Sequence, residues 1–242
     1  MAVHFTVIGS SPAWPNPGSA QSGYLVEGPG RLLLDCGPGV LARLRERWSW
    51  PEIDAIVITH WHLDHWGDLV PWVWGQTLGP GIGTPRAELW VPPGGRSKLE
   101  TFGELLGTRE MFDDAFDVRE YADASEFETG GFTVLARRVV HYRLEAFGLR
   151  VSADGTTIAY SGDSGPTTAL GELARDADLL VCEATLDRLT LEGDTRGHLS
   201  VDEALAVVRD TGVRRLLLTH RPEERPLDSD VELARDGLVI EL

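Results

Sequence analysis

A chain of 242 residues with 42% hydrophobic side chains has the material for a proper core in one large domain or two small ones. No run reaches 18 apolar residues, which excludes a membrane-spanning helix from the expectation. The formal charge of −16, from 38 acidic against 22 basic residues, argues against an extended groove for a long nucleic acid, because such grooves use Lys and Arg to neutralise phosphates. A small anion stays admissible, since a local field can oppose the net charge.

The first apolar run, Val3–Ile8, reads as a strand that enters a Pro/Gly/Ser-rich loop, Gly9–Ser22. It carries neither a basic n-region nor a cleavage site, so no signal peptide is expected, and a cytoplasmic location is. Tyr24–Val26 and Leu32–Asp35 flank Glu27–Gly30 as a hairpin. Gly39–Arg47 has helical composition. Ile53–Thr59 is a continuous apolar run, as in a strand buried on both faces. Asp68–Gln76 begins a helix that Gly79–Thr84 ends, and Glu88–Val91 is a further strand. Ser97–Leu106 reads as a helix with Ser97 as N-cap and Glu100 three residues on, as in a capping box. Phe132–Val140 is a strand, and Gly148–Ser152 and Thr157–Tyr160 form a second hairpin. Leu179–Cys182 and Leu216–Thr219 are short buried strands, with a helix between them that Ser200 caps, Glu203 again standing three residues on. No linker or low-complexity segment interrupts this order, so residues 1–242 are expected as a single α/β domain. Cys36 and Cys182 are expected as buried, reduced thiols.

Six of the seven histidines fall in four short motifs at the ends of these strands, and only His4 stands apart. The densest, His60-Trp61-His62-Leu63-Asp64-His65, puts three imidazoles and a carboxylate within six residues, a poor core and a poor solvent face. It suits a pair of cations, with His60 and His62 turned to one and Asp64 and His65 to the other. Imidazole and carboxylate donors without thiolates favour zinc, manganese or iron over a structural Cys-bound zinc. Taken singly, the remaining candidates have two readings each. His141 after a strand is a ligand or a satisfied structural histidine. Asp163, in Ser161-Gly162-Asp163-Ser164, is a bridging ligand or a turn residue. His198 before a helix is by itself a cap or a surface residue, and His220 repeats the Thr-His pattern of Thr59-His60. Glu183 at a buried strand end needs a partner and could orient His198 or a ligand imidazole. Asn16, Ser19 and Ser22 bind phosphate or form a turn. Trp61, Trp66, Trp72 and Trp74 wall a pocket, form a dimer interface or fill the core, the first two being preferred to base stacking.

The set as a whole resembles the metallo-β-lactamase superfamily, and the resemblance covers nearly the full length. The HxHxDH motif, lone His141, the Ser-Gly-Asp-Ser turn, Asp178–Thr185, His198-Leu-Ser200 and Leu-Thr-His220 are similar to the phosphodiesterase branch, which holds ribonuclease Z and bacterial cyclic-nucleotide phosphodiesterases. Gly18–Tyr24 and Leu34–Gly39 are similar to an actinobacterial-type cyclic AMP phosphodiesterase group. The resemblance implies a four-layer αβ/βα sandwich holding two divalent cations, zinc first and manganese or iron as alternatives. It places one on His60, His62 and His141 and the other on Asp64, His65 and His220, with Asp163 bridging, and makes His198 the proton donor or phosphate contact. It implies hydrolysis of a small phosphodiester by water activated at the cations, and a homodimer. The other readings it leaves are tRNA 3′ processing and hydrolysis of another ester or a lactone. In ribonuclease Z the tRNA-gripping arm lies between the counterparts of His141 and Asp163. Here residues 142–162, 21 in all, leave no room for one.

Overall fold

The computed structural model describes residues 2–187, 192–193, 195–227 and 230–242. The first sheet contains β1 (His4–Gly9), β2 (Gly23–Glu27), β3 (Arg31–Leu34), β4 (Ala55–Val57), β5 (Glu88–Val91) and β6 (Asp117–Glu120). The second contains β7 (Glu126–Thr129), β8 (Phe132–His141), β9 (Leu144–Ala153), β10 (Thr156–Tyr160), β11 (Leu179–Glu183) and β12 (Leu216–Thr219). A last strand, β13 (Val239–Glu241), returns to the first sheet and pairs antiparallel with β1. The orders are β13-β1-β2-β3-β4-β5-β6 and β12-β11-β10-β9-β8-β7. Helices α1 (Val40–Arg47), α2 (Leu63–Trp66), α3 (Leu69–Leu78), α4 (Gly95–Leu105) and α5 (Met111–Ala115) follow strands of the first half, and α6 (Thr168–Ala174) and α7 (Val201–Arg209) those of the second.

Three apolar layers hold this together. Phe5, Val26, Leu32, Val57, Phe132, Phe147, Leu149 and Val181 interlock between the sheets. Leu33, Ile56 and Leu89, on the opposite face of the first sheet, pack on Leu44, Trp72 and Phe112 of the helices. Ala159, Leu180 and Leu218 pack on Leu170, Leu173 and Val201 of the second pair. The result is the helix–sheet–sheet–helix sandwich that the sequence implies. Removing one ring from its middle, as in Phe147→Ala, costs about 3–5 kcal/mol by lost contact and residual cavity.

Local differences from the sequence expectation have identifiable causes. The strand expected over Ile53–Thr59 keeps only Ala55–Val57 as ladder, and the Thr59 N–H leaves the sheet for the Asp35 carboxylate at 2.8 Å. The capping box expected at Ser97 is not formed. The helix starts earlier, at Gly95, with Gly94 at φ +68°, and the carboxylate of Glu120 from β6 accepts the N–H groups of Gly94 and Arg96 at 3.1 and 2.9 Å. A distant acid satisfies the free amides of the first turn there, so no local cap is needed. The Ser200 box forms as expected, with Glu203 N–H on Ser200 Oγ at 3.3 Å and Ser200 N–H on Glu203 Oε2 at 2.8 Å. Trp66 and Trp72 are core residues rather than pocket or interface side chains, and Trp61 packs partly buried against the same layer. Only Trp74 of that group is exposed. The apolar demand of α2–α4 on the first sheet takes the other three rings.

Candidate metal centre

Strands β4, β8, β10, β11 and β12 bring His60, His141, Asp163, Glu183 and His220 to one end of the sandwich, each at the strand's last residue or just beyond it. The first turn beyond β4 supplies His62, Asp64 and His65, and the segment before α7 supplies His198. Ends of strands leave side chains free of the ladder, and here both sheets offer theirs at the same edge.

Two clusters result. In one, donor atoms of His60, His62, His141 and Asp163 lie within 4.8 Å of one another, and in the other those of Asp64, His65, Asp163 and His220 do. Asp163 belongs to both, with Oδ2 3.8 Å from His60 Nε2 and 3.6 Å from His220 Nε2, and Oδ1 3.3 Å from His65 Nε2. Asp64 Oδ2 is 3.1 Å from His220 Nε2 and 3.3 Å from His65 Nε2. A third grouping, Glu183, His198 and His220, adjoins them. All residues expected in the site are thus brought together.

The orientation of the rings fits metal ligation. His65 donates Nδ1–H to Asp35 Oδ2 at 2.7 Å, His141 donates to Gly197 O at 2.7 Å, and His60 to Thr59 Oγ1 at 3.0 Å. His220 donates to Thr185 Oγ1 at 2.9 Å. Each anchor holds Nδ1 outward and turns Nε2 inward. His60 Nε2, His65 Nε2 and Asp163 Oδ1 are buried with no hydrogen-bond partner. Buried polar atoms are otherwise paired in proteins, so unpartnered donors of this type, His60 in one cluster, His65 in the other and Asp163 in both, fit metal ligation. Cys36 and Cys182 are free, buried and outside the clusters.

Charge settles accordingly. Burial lowers the pKa of His60, His62 and His141, which keeps imidazole neutral as a ligand must be. Burial opposes the charge on Asp163, yet His220 and His65 hold it well below the usual carboxylate range, and His65 and His220 do the same for Asp64. Burial would also lower His65, but Asp163, Asp35 and Asp64 raise it well above the ordinary value.

His198 is fastened differently. Its Nδ1 meets Glu183 Oε1 at 2.9 Å, and its ring stacks on His220 with centroids 5.7 Å apart. Burial works against its charge, yet Glu183, Asp163 and Glu192 push its pKa up to about 9. Glu183 is fully committed. It also accepts from Ser164 N, Leu199 N, Thr185 N and Thr185 Oγ1 at 2.9–3.2 Å.

Some participants carry no role in the sequence reading. Asp35 accepts from His65, from Thr59 N and Oγ1 and from Tyr160 OH, the last at 2.8 Å. Among the described residues, six non-glycine positions have positive φ, and Asp35, Tyr142 and His220 of the site are three of them. A lone acid between a buried strand and Cys36-Gly37 was the available signal for Asp35. Ser19 N–H donates to Asn16 O at 3.0 Å, a turn, and the two side chains tie that turn to the C-terminal segment: Asn16 bonds Arg221 O and Glu223 N, and Ser19 bonds Asp236. Ser22 is buried, its hydroxyl without a partner.

A sequence profile of the beta-lactamase superfamily domain matches residues 30–221. This chain belongs to that superfamily. An uncharacterized protein of Mycobacterium tuberculosis is 37% identical to this superfamily member over 227 residues, 92% of this chain and 82% of its own length. YhfI of Bacillus subtilis, named as a probable metallo-hydrolase, is 28% identical over 98% of both chains, and its crystal structure superposes with a TM-score of 0.84 at 23% identity, covering 98% of this chain and 99% of YhfI. The short form of human tRNase Z superposes with a TM-score of 0.79 at 26% identity, over 98% of each chain. The chain is therefore a metal-dependent hydrolase of the metallo-β-lactamase fold, with buried His/Asp clusters that could bind its metal. No helix among the described residues is long and apolar enough to cross a membrane.

Proposed function

We propose that this hydrolase is a dinuclear phosphodiesterase acting on a small cyclic nucleotide. His60, His62 and His141 would hold one divalent cation and Asp64, His65 and His220 the second, with Asp163 between; zinc is the first candidate, and manganese or iron the alternatives. The observation that carries the reading is Asp163 within reach of both clusters while His198, charged and clamped by Glu183, stands beside them. When bound, such cations would lower the pKa of water toward about 7 and offer positive charge to phosphodiester oxygens. Asp64 and Asp163 accept hydrogen bonds from the attacking water and orient it. Glu183 takes the Nδ1–H of His198 and leaves the Nε2 proton for the departing alkoxide. Glu183 thereby acts as a positioning residue, since its own oxygens are spent on backbone and hydroxyl donors.

Size of substrate is read from the connection between His141 and Asp163. A two-residue turn, β9, a second two-residue turn and β10 use up nearly all of it, so no arm rises there to grip a folded RNA. The net charge of −16 points the same way. The likeness to human tRNase Z supports tRNA 3′ processing as the second reading. A homodimer accords with Trp74, Leu78 and Ile82, exposed by 40%, 74% and 64% at one end of α3 and beyond it.

The test is hydrolysis of 3′,5′-cyclic AMP by the metal-loaded protein, followed by chromatography, with chelator as control. Metal-dependent AMP is the expected product. His198→Ala should lower turnover by about 10²–10⁴-fold, the range of a general acid, with metal content intact. Loss of metal from that variant would make His198 a ligand instead. Cleavage of precursor tRNA with no AMP from cyclic AMP would replace this reading by the second.

A further inference from the structure

Trp66 and Trp72 are turned into the core, Trp61 packs partly buried against it and Trp74 lies on α3, whereas Tyr142 is an exposed aromatic ring against the site histidines. It follows His141 directly. Its ring centroid lies 4.9 Å from that of His141 and 5.6 Å from that of His198, with the latter planes at 80°. The residue is 43% exposed, although its backbone is in the left-handed region at φ +48°, a conformation that bulky side chains rarely adopt. Core packing does not explain a strained and exposed aromatic.

The surroundings hold the ring in one orientation. The Tyr142 N–H donates to Arg196 O at 2.8 Å, and its hydroxyl donates to Glu192. The same Glu192 carboxylate accepts the N–H groups of Gly197 and His198 at 2.6 and 3.0 Å. A Cβ at Gly197 would come within 2.3 Å of the Tyr142 ring, so only glycine lets the ring lie against the segment that carries His198. One carboxylate thus ties the aromatic to the backbone that carries His198, while the residue stays 43% exposed.

We propose that Tyr142 is the platform on which the nucleobase stacks while the phosphate sits between the metal clusters. This rests on the nucleotide reading above and makes Tyr142 a specificity-determining residue. Stacking accepts any base because each has a π-face, so the platform selects nucleotides over simpler diesters without selecting among bases.

Equilibrium binding of AMP and of ribose 5-phosphate to the metal-loaded protein, by titration calorimetry, tests this. Tyr142→Ala should weaken AMP about 10-fold, the effect of one base stack, and leave ribose 5-phosphate within about 2-fold. Tyr142→Phe, which keeps the ring, should stay near wild type for both ligands. Equal weakening of both ligands by Tyr142→Ala would mean that the residue only shapes the His198 segment. Unchanged AMP affinity, or a wild-type protein that prefers ribose 5-phosphate to AMP, would also overturn the proposal. Tight AMP binding without turnover of cyclic AMP would sink the phosphodiesterase reading and leave the platform standing.

Discussion

The two ligand clusters share Asp163 and little else. The cluster of Asp64, His65 and His220 is wholly buried, and both its imidazoles are anchored through Nδ1, to Asp35 and to Thr185, each anchor being itself held by further side chains. In the cluster of His60, His62 and His141, His62 is not fully buried and turns its own Nδ1 inward, 2.9 Å from His141 Nε2, with no anchor like those of its neighbours. One side is pre-organised and the other has one adaptable donor. A rigid site binds its ion for the long term, and a looser one can change coordination as substrate enters and product leaves.

That contrast can be broken most severely at the shared residue. On the proposed two-ion reading, Asp163→Ala should remove both ions, seen by elemental analysis, and with them essentially all hydrolysis; retention of a full complement of metal would show that the clusters are independent. His62→Ala should cost one ion and keep the other, since the deep cluster does not use it. Loss of both would show that the deep cluster cannot stand alone. Asp35→Asn keeps the shape around His65 but removes the charge behind it, and should weaken one ion by about 10–100-fold in a chelator competition, as for other outer partners of ligand histidines. An equal loss at both ions would erase the distinction. The smallest effect is kinetic: a dilute chelator should strip the two ions from the wild type in two phases, the open cluster first, and a single phase would count against any difference in rigidity.

The residues of both clusters were legible in the sequence because each is itself a metal-binding type placed after an apolar run. The fold was legible for a related reason, since alternating apolar runs and turn residues report layers. The supporting groups were not. Thr59 and Thr185 carry generic hydroxyls, and nothing local distinguishes Asp35 from a turn acid until His65 and Tyr160 arrive from 30 and 125 residues away. Glu120 hides the start of α4 in the same manner, since it satisfies amides ahead of Ser97 and lets the helix begin before the expected cap. Tyr142 escapes because its strain and exposure arise from packing against Gly197, and neither leaves a trace in composition.

His220 stands 156 residues beyond Asp64, and its own amide is held by Ser10 at 3.1 Å. During synthesis the chain therefore emerges with the open cluster's four ligands already made, while the deep cluster waits for the last strand of the second sheet. At about 5–20 residues per second that interval lasts seconds. On the two-ion reading, the deep site is completed only when His220 reaches Asp64 and Ser10, so metal held there would mark a chain whose second sheet is finished.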